Sequence, residues 1–146
     1  MSLRIIVLAL LGLFIGGCVA GNTKSNISEK GVGEVFVAPE VNAAVEVVIA
    51  SDGIVSVSQV STGENGIEFS LSKMGSGGMM LSAKSSLDVV IKYDIEMIDN
   101  NGKRYYTSSC PLMPKAGAFE SWGHNIPKLR ISNFRILKES EALVCQ

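Results

Sequence analysis

The side chains of this 146-residue chain best suited to chemistry are three cysteines, six methionines, one histidine and one tryptophan. His124 stands close to Glu120 and Ser121, a base, an acid and a hydroxyl by type. Nucleophilic catalysis needs a serine activated by a base that a third group orients, and three near neighbours in one segment do not supply that geometry by spacing alone. The chain has no GxSxG elbow, and Gly75-Ser76-Gly77-Gly78 lacks the strand-to-helix context of a phosphate cradle. Met74, Met79, Met80, Met113 and His124 are soft donors of the kind that select Cu(I), but no ligand repeat fixes a coordination geometry, and methionine commonly fills gaps in a core. With one histidine, zinc is poorly served as well. The expectation is a protein that is not an enzyme and carries neither cofactor nor metal.

Binding is the better use of the unusual residues. Residues 110–127, CPLMPKAGAFESWGHNIP, hold three prolines, the sole Trp and the sole His, and show no strand period. Long irregular connections are uncommon in compact domains and often functional. Phe119 and Trp122, with Lys115, Lys128 and Arg130 nearby, suit a docking patch for a protein partner, since aromatics and Arg dominate binding hot spots. The competing reading folds Phe119 and Trp122 back as a plug for the open end of the domain. An alternative function is a small enzyme or enzyme inhibitor that presents the same segment as a loop.

The N-terminus supplies an address. Arg4 is followed by the uncharged apolar run 5–15 and then by Ile15-Gly16-Gly17-Cys18. This arrangement resembles a bacterial lipoprotein signal, and the resemblance covers residues 1–18 only. It implies cleavage before Cys18, acylation of the Cys18 thiol and tethering of the product to a membrane. Several acyl chains at about 0.8 kcal/mol per buried methylene would hold it stably. Gly16 stands where Ala or Ser is commoner, and Val19 stands where an Asp would mark inner-membrane retention, which favours the outer membrane of a double-membraned cell. The competing reading is an uncleaved anchor, but the charge-free stretch 5–21 is at the short limit for a spanning helix and ends in small residues.

Removing residues 1–17 of the 146 leaves 129, enough for one domain with a core. Cys110 and Cys145 are then left in an oxidising compartment, where two thiols in a small exported domain usually pair. The other outcomes are an intermolecular bridge through Cys145 or two free thiols. Residues 18–101 carry 5 Lys against 11 Asp and Glu, whereas 102–146 carry 7 Lys and Arg against 3 Asp and Glu. Near-neutral charge offers nothing to nucleic acid. The asymmetry fits either a basic face or acidic and basic strands paired across a ladder.

The elements that must position these residues have a period of two. In 87–99, Val89, Ile91, Tyr93, Ile95 and Met97 alternate with Asp88, Lys92, Asp94 and Glu96, predicting a strand whose second face is wet. Ile67, Phe69 and Leu71 alternate with Glu68, Ser70 and Ser72 after the turn signal at 63–66. Further strands are expected at 33–38, 43–50, 54–61, 79–83, 103–109, 128–137 and 142–145. Asn100-Asn101-Gly102 predicts a tight hairpin, and a change of phase at Ser132-Asn133 predicts a β-bulge. With no helical stripe, the reading is all-β: an antiparallel β-sandwich, immunoglobulin-like or related, of seven to nine strands. Its parts are a signal at 1–17, a flexible tether at 18–33 and the domain at 34–146.

Overall fold

Among the described residues, nine strands in two antiparallel sheets make up the fold, a β-sandwich not closed into a barrel. This is a computed structural model, and it describes residues 31–51, 53–61 and 63–145; the lipoprotein-like signal and residues 18–30 of the expected tether lie outside the described residues. The strands are β1 (Val32–Val37), β2 (Ala43–Ala50), β3 (Gly53–Val60), β4 (Gly66–Lys73), β5 (Met79–Ser85), β6 (Ile91–Ile98), β7 (Arg104–Thr107), β8 (Gly117–Trp122) and β9 (Lys128–Ile136). One sheet runs β1-β9-β6-β7 and the other β3-β2-β4-β5-β8.

Alternation places the core between the sheets. Ile67, Phe69 and Leu71 of β4 face Ile91, Tyr93 and Ile95 of β6, and all six are buried. Phe69, Tyr93 and Phe134 form an aromatic trio at its centre, with ring centroids 5.7 to 6.2 Å apart. Such contacts add to the roughly 1.5 to 3 kcal/mol that burial of each large apolar side chain contributes.

The bulge falls where the change of phase requires it. Lys92 pairs with Arg135 and Asp94 with Ser132, so Asn133 and Phe134 together oppose Tyr93. Asn133 takes a left-handed backbone, φ 56°, and the inserted residue turns Phe134 into the core alongside Leu129 and Ile131. The chain enters the domain against this bulge. A Cβ on Gly31 would lie 2.0 Å from the Asn133 carbonyl oxygen, and Gly33, at φ 75°, lets β1 approach within contact of Val57 on β3. The end of the expected tether is therefore already fixed: β1 opens at Val32.

Three expectations are corrected. The strand expected over 87–99 begins only at Ile91, because the chain must cross there from β5 in one sheet to β6 in the other. Residues 142–145 are not a strand; they run as an irregular segment ending in a disulfide between Cys145 and Cys110. Residues 110–127 are not one long loop, since β8 occupies their middle and pairs with β5 from Met79↔Trp122 to Lys84↔Gly117. Its alternation was hidden by Gly117 and Ala118, too small to mark a face.

Candidate functional site

The side of the sandwich bounded by the edge strands β7 and β8 carries three exposed aromatic side chains that point different ways: Tyr105, opposite Met97, toward the cleft; Tyr106, opposite Glu96, on the outer face of the four-stranded sheet; and Phe119 on the outer face of the five-stranded one. Tyr105 is 42% exposed, Tyr106 61% and Phe119 68%. Two hydrogen bonds stitch the sheets together along this seam: Trp122 Nε1 donates to Thr107 Oγ1 at 3.0 Å, and the Cys110 amide donates to Glu120 Oε1 at 2.8 Å. Beyond Trp122 the seam opens into a cleft of about 280 Å³, lined by Met97, Tyr105, His124, Asn125, Ile126 and Pro127.

One wall of the cleft is built by the β6–β7 hairpin. Asp99 Oδ1 accepts from the amides of Asn101 and Lys103, both at 2.9 Å, and Gly102 takes φ 80°. This side-chain turn holds Tyr105 in place, and Lys103 Nζ lies 4.9 Å from the Tyr105 ring centroid. The opposite wall is the β8–β9 connection, anchored by buried Ile126.

The four side chains expected to bind a partner do not form one surface. Phe119 pairs with Ser82 on the outer face of its sheet, whereas Trp122 turns inward, half-buried, and packs against the core. Lys128 and Arg130 lie on the outer face of the other sheet. Lys128 Nζ sits 5.6 Å from the Phe36 ring centroid. Arg130 bridges Glu34 and Glu96, each at 2.6 Å, and these bonds, to Glu96 first, hold its guanidinium pKa above the usual range. Arg104 approaches Glu96 at 3.8 Å. On this sheet the charge asymmetry of the sequence becomes cross-strand pairing. Lys115 is engaged elsewhere, by Asp88 at 3.4 Å and the Ser86 carbonyl.

Nor are Glu120, Ser121 and His124 brought together. Glu120 points inward to the Cys110 amide, Ser121 outward, and His124 into the cleft. Met79 is fully buried in the core, and Met113 is exposed. Among the described residues no group of three or more His, Cys, Asp or Glu is placed to hold a metal ion.

One residue escaped the sequence reading. Lys92, expected on a wet face, is only 5% exposed. Its Nζ donates to the Ser109 carbonyl and, at 3.4 Å, to the Val144 carbonyl, the groups that precede the two half-cystines. The disulfide draws the C-terminal segment over this lysine, and burial first, then Arg135, lowers its pKa from the ordinary lysine value. Tyr93 is buried, as its place on the apolar face predicts; its Oη has no hydrogen-bond partner among the described residues, and burial, aided by the charge of Glu120, pushes its pKa well above the ordinary phenol range. A period-two pattern assigns a face; it does not show what later segment covers that face.

No family model matches this chain, and neither does any curated protein or solved structure. Fold and site therefore define it only as an antiparallel β-sandwich with a disulfide-pinned C-terminus and an aromatic flank.

Proposed function

We propose that this is a lipid-anchored binding or accessory protein of the bacterial cell envelope, tethered through Cys18 and acting through protein–protein contact at the β7/β8 flank. The observation that carries the binding reading is the exposure of aromatic side chains on both edge strands of one side of the sandwich, Tyr105 and Tyr106 on β7 and Phe119 on β8. Aromatic side chains present large contact area with little rotamer entropy to lose, which is why they concentrate at interfaces. Trp122 serves as the seam beneath that surface, and Lys128 and Arg130 form the rim of the neighbouring sheet face. The anchor rests on Ile15-Gly16-Gly17-Cys18 after an apolar run. A disulfide between Cys110 and Cys145 agrees with an oxidising compartment. Val19 after the acylated cysteine favours the outer membrane where the cell has two.

Metabolic labelling with a clickable palmitate tests the anchor: the wild-type chain takes up label and Cys18→Ser does not. Continued labelling of Cys18→Ser refutes it. Recovery of crosslinked partners from membranes tests the flank, and Tyr105→Ala with Tyr106→Ala should reduce that recovery at least ten-fold without lowering the melting temperature. Unchanged recovery would remove the flank from the interface.

A further inference from the structure

Each open sheet has two edges, and an edge strand carries unpaired N–H and C=O groups that template another strand unless something blunts it. In this sandwich β1 and β3 approach each other, with Gly33 in contact range of the Val57 side chain and carbonyl, so each obstructs its neighbour's edge. The β7 edge is four residues long and carries Arg104. Among the described residues, the β8 edge has neither defence. Its one charged residue, Glu120, points inward and is occupied by the Cys110 amide.

The register shows which backbone groups of β8 are free to pair. The Ser85 amide donates to the Ala116 carbonyl at 2.9 Å, which makes that pair hydrogen-bonded. Hydrogen-bonded pairs recur at every second residue of an antiparallel ladder, so Ala118, Glu120 and Trp122 direct their backbone groups at β5. Gly117, Phe119 and Ser121 direct theirs away from the sheet. These same three residues are exposed, and Phe119 is the most exposed of the large hydrophobic residues described.

We propose that β8 pairs antiparallel with β8 of a second copy of this chain, about a two-fold axis through Phe119, joining the two five-stranded sheets into one. The proposal rests on the reading of the β7/β8 flank as an interface and names its partner. Self-complementarity selects a second copy. With Phe119 on the axis, Phe119 opposes Phe119, Gly117 opposes Ser121 and Ala118 opposes Glu120. The outward backbone groups all meet outward groups, no like charges face each other, and the exposed ring gains an aromatic cross-strand neighbour. A closed isologous contact of this kind ends at two copies and leaves no open β8 edge.

A photo-crosslinking phenylalanine analogue at position 119 of the full chain, irradiated in the membranes of the expressing cells, tests this. The expected product has twice the mass of the chain, and the same analogue at Val48, on the far side of the sheet, gives none. Ser121→Pro removes one outward N–H and no bond to β5, so it should cut the doubled product at least ten-fold while the melting temperature is unchanged. A product with a different protein only would overturn self-pairing and leave the flank reading standing. Absence of any product at 119, or a doubled product insensitive to Ser121→Pro, would overturn the proposal. Failure of the flank reading itself would appear separately, as partner recovery indifferent to Tyr105 and Tyr106.

Discussion

Trp122 shows how one side chain can belong to the surface by sequence and to the seam by structure. Its partly buried side chain packs against the core, and its Nε1 donates across the two sheets to Thr107. Trp122→Ala should therefore cost about 2 to 4 kcal/mol of folding stability, below the full range for a wholly buried aromatic. Thr107→Val, which leaves the indole N–H without its partner, should cost about 1 kcal/mol. Denaturant unfolding followed by circular dichroism measures both; a Trp122→Ala protein of wild-type stability would return the ring to the surface. Lys92 lends itself to a pH experiment. Its folded pKa lies below the unfolded value, so between the two the unfolded chain binds more protons, and stability rises with pH through that window toward the ordinary lysine value. Lys92→Met has no such group. The wild type should gain stability relative to Lys92→Met as pH rises toward the ordinary lysine value in paired urea titrations, and a constant difference would mean that Lys92 titrates alike in the folded and unfolded chain. Comparison with the variant is needed because Tyr93 acts in the opposite sense: its raised pKa withdraws stability as pH climbs past the ordinary phenol value.

Among the elements, the C-terminal segment depends most on a single bond. Beyond β9, Glu141 accepts from the Lys138 amide at 2.9 Å and from Arg135 at 2.8 Å, contacts that lower its pKa, with the amide the larger cause. The disulfide closes a loop of 35 residues, for which chain entropy gives about 4 kcal/mol. Reduction should lower the melting temperature by several degrees and free residues 138–145, and hydrogen exchange should show protection abolished there and reduced in β2, β4 and β5 only by the fall in global stability. Retained protection of residues 138–145 after reduction would contradict the anchoring role of the bridge. β8 makes a contrasting case: an edge strand of two small residues, one Phe, one Glu, one Ser and one Trp, whose pairing comes entirely from β5. Its existence depends on a neighbour distant in sequence, so local periodicity could not reveal it, whereas β4 and β6 carry their alternation in large side chains and were legible at once.

For the molecule as a whole, both sheets, the aromatic core and the disulfide lie within residues 31–145. A chain that starts at Gly31 should accordingly keep the melting temperature and circular dichroism spectrum of the protein that starts at Cys18. A fall of more than a few degrees would mean that residues 18–30 contribute to the fold. The sequence alone determined the all-β class, the hairpin at Asn100-Asn101-Gly102 and the bulge at Asn133, while the Cys110–Cys145 bridge stood in it beside an intermolecular bridge and two free thiols. The first three follow from local chemistry: alternation that buries one face, residues that tolerate a left-handed backbone, and a break in phase. Only the tertiary structure decided that Phe119, Trp122, Lys128 and Arg130 part company, that the edge strands carrying Tyr105, Tyr106 and Phe119 bound the same side of the sandwich, and that Lys92 is covered. Those outcomes depend on which strand lies beside which and on what a later segment is drawn across, long-range relations that a period of two does not encode.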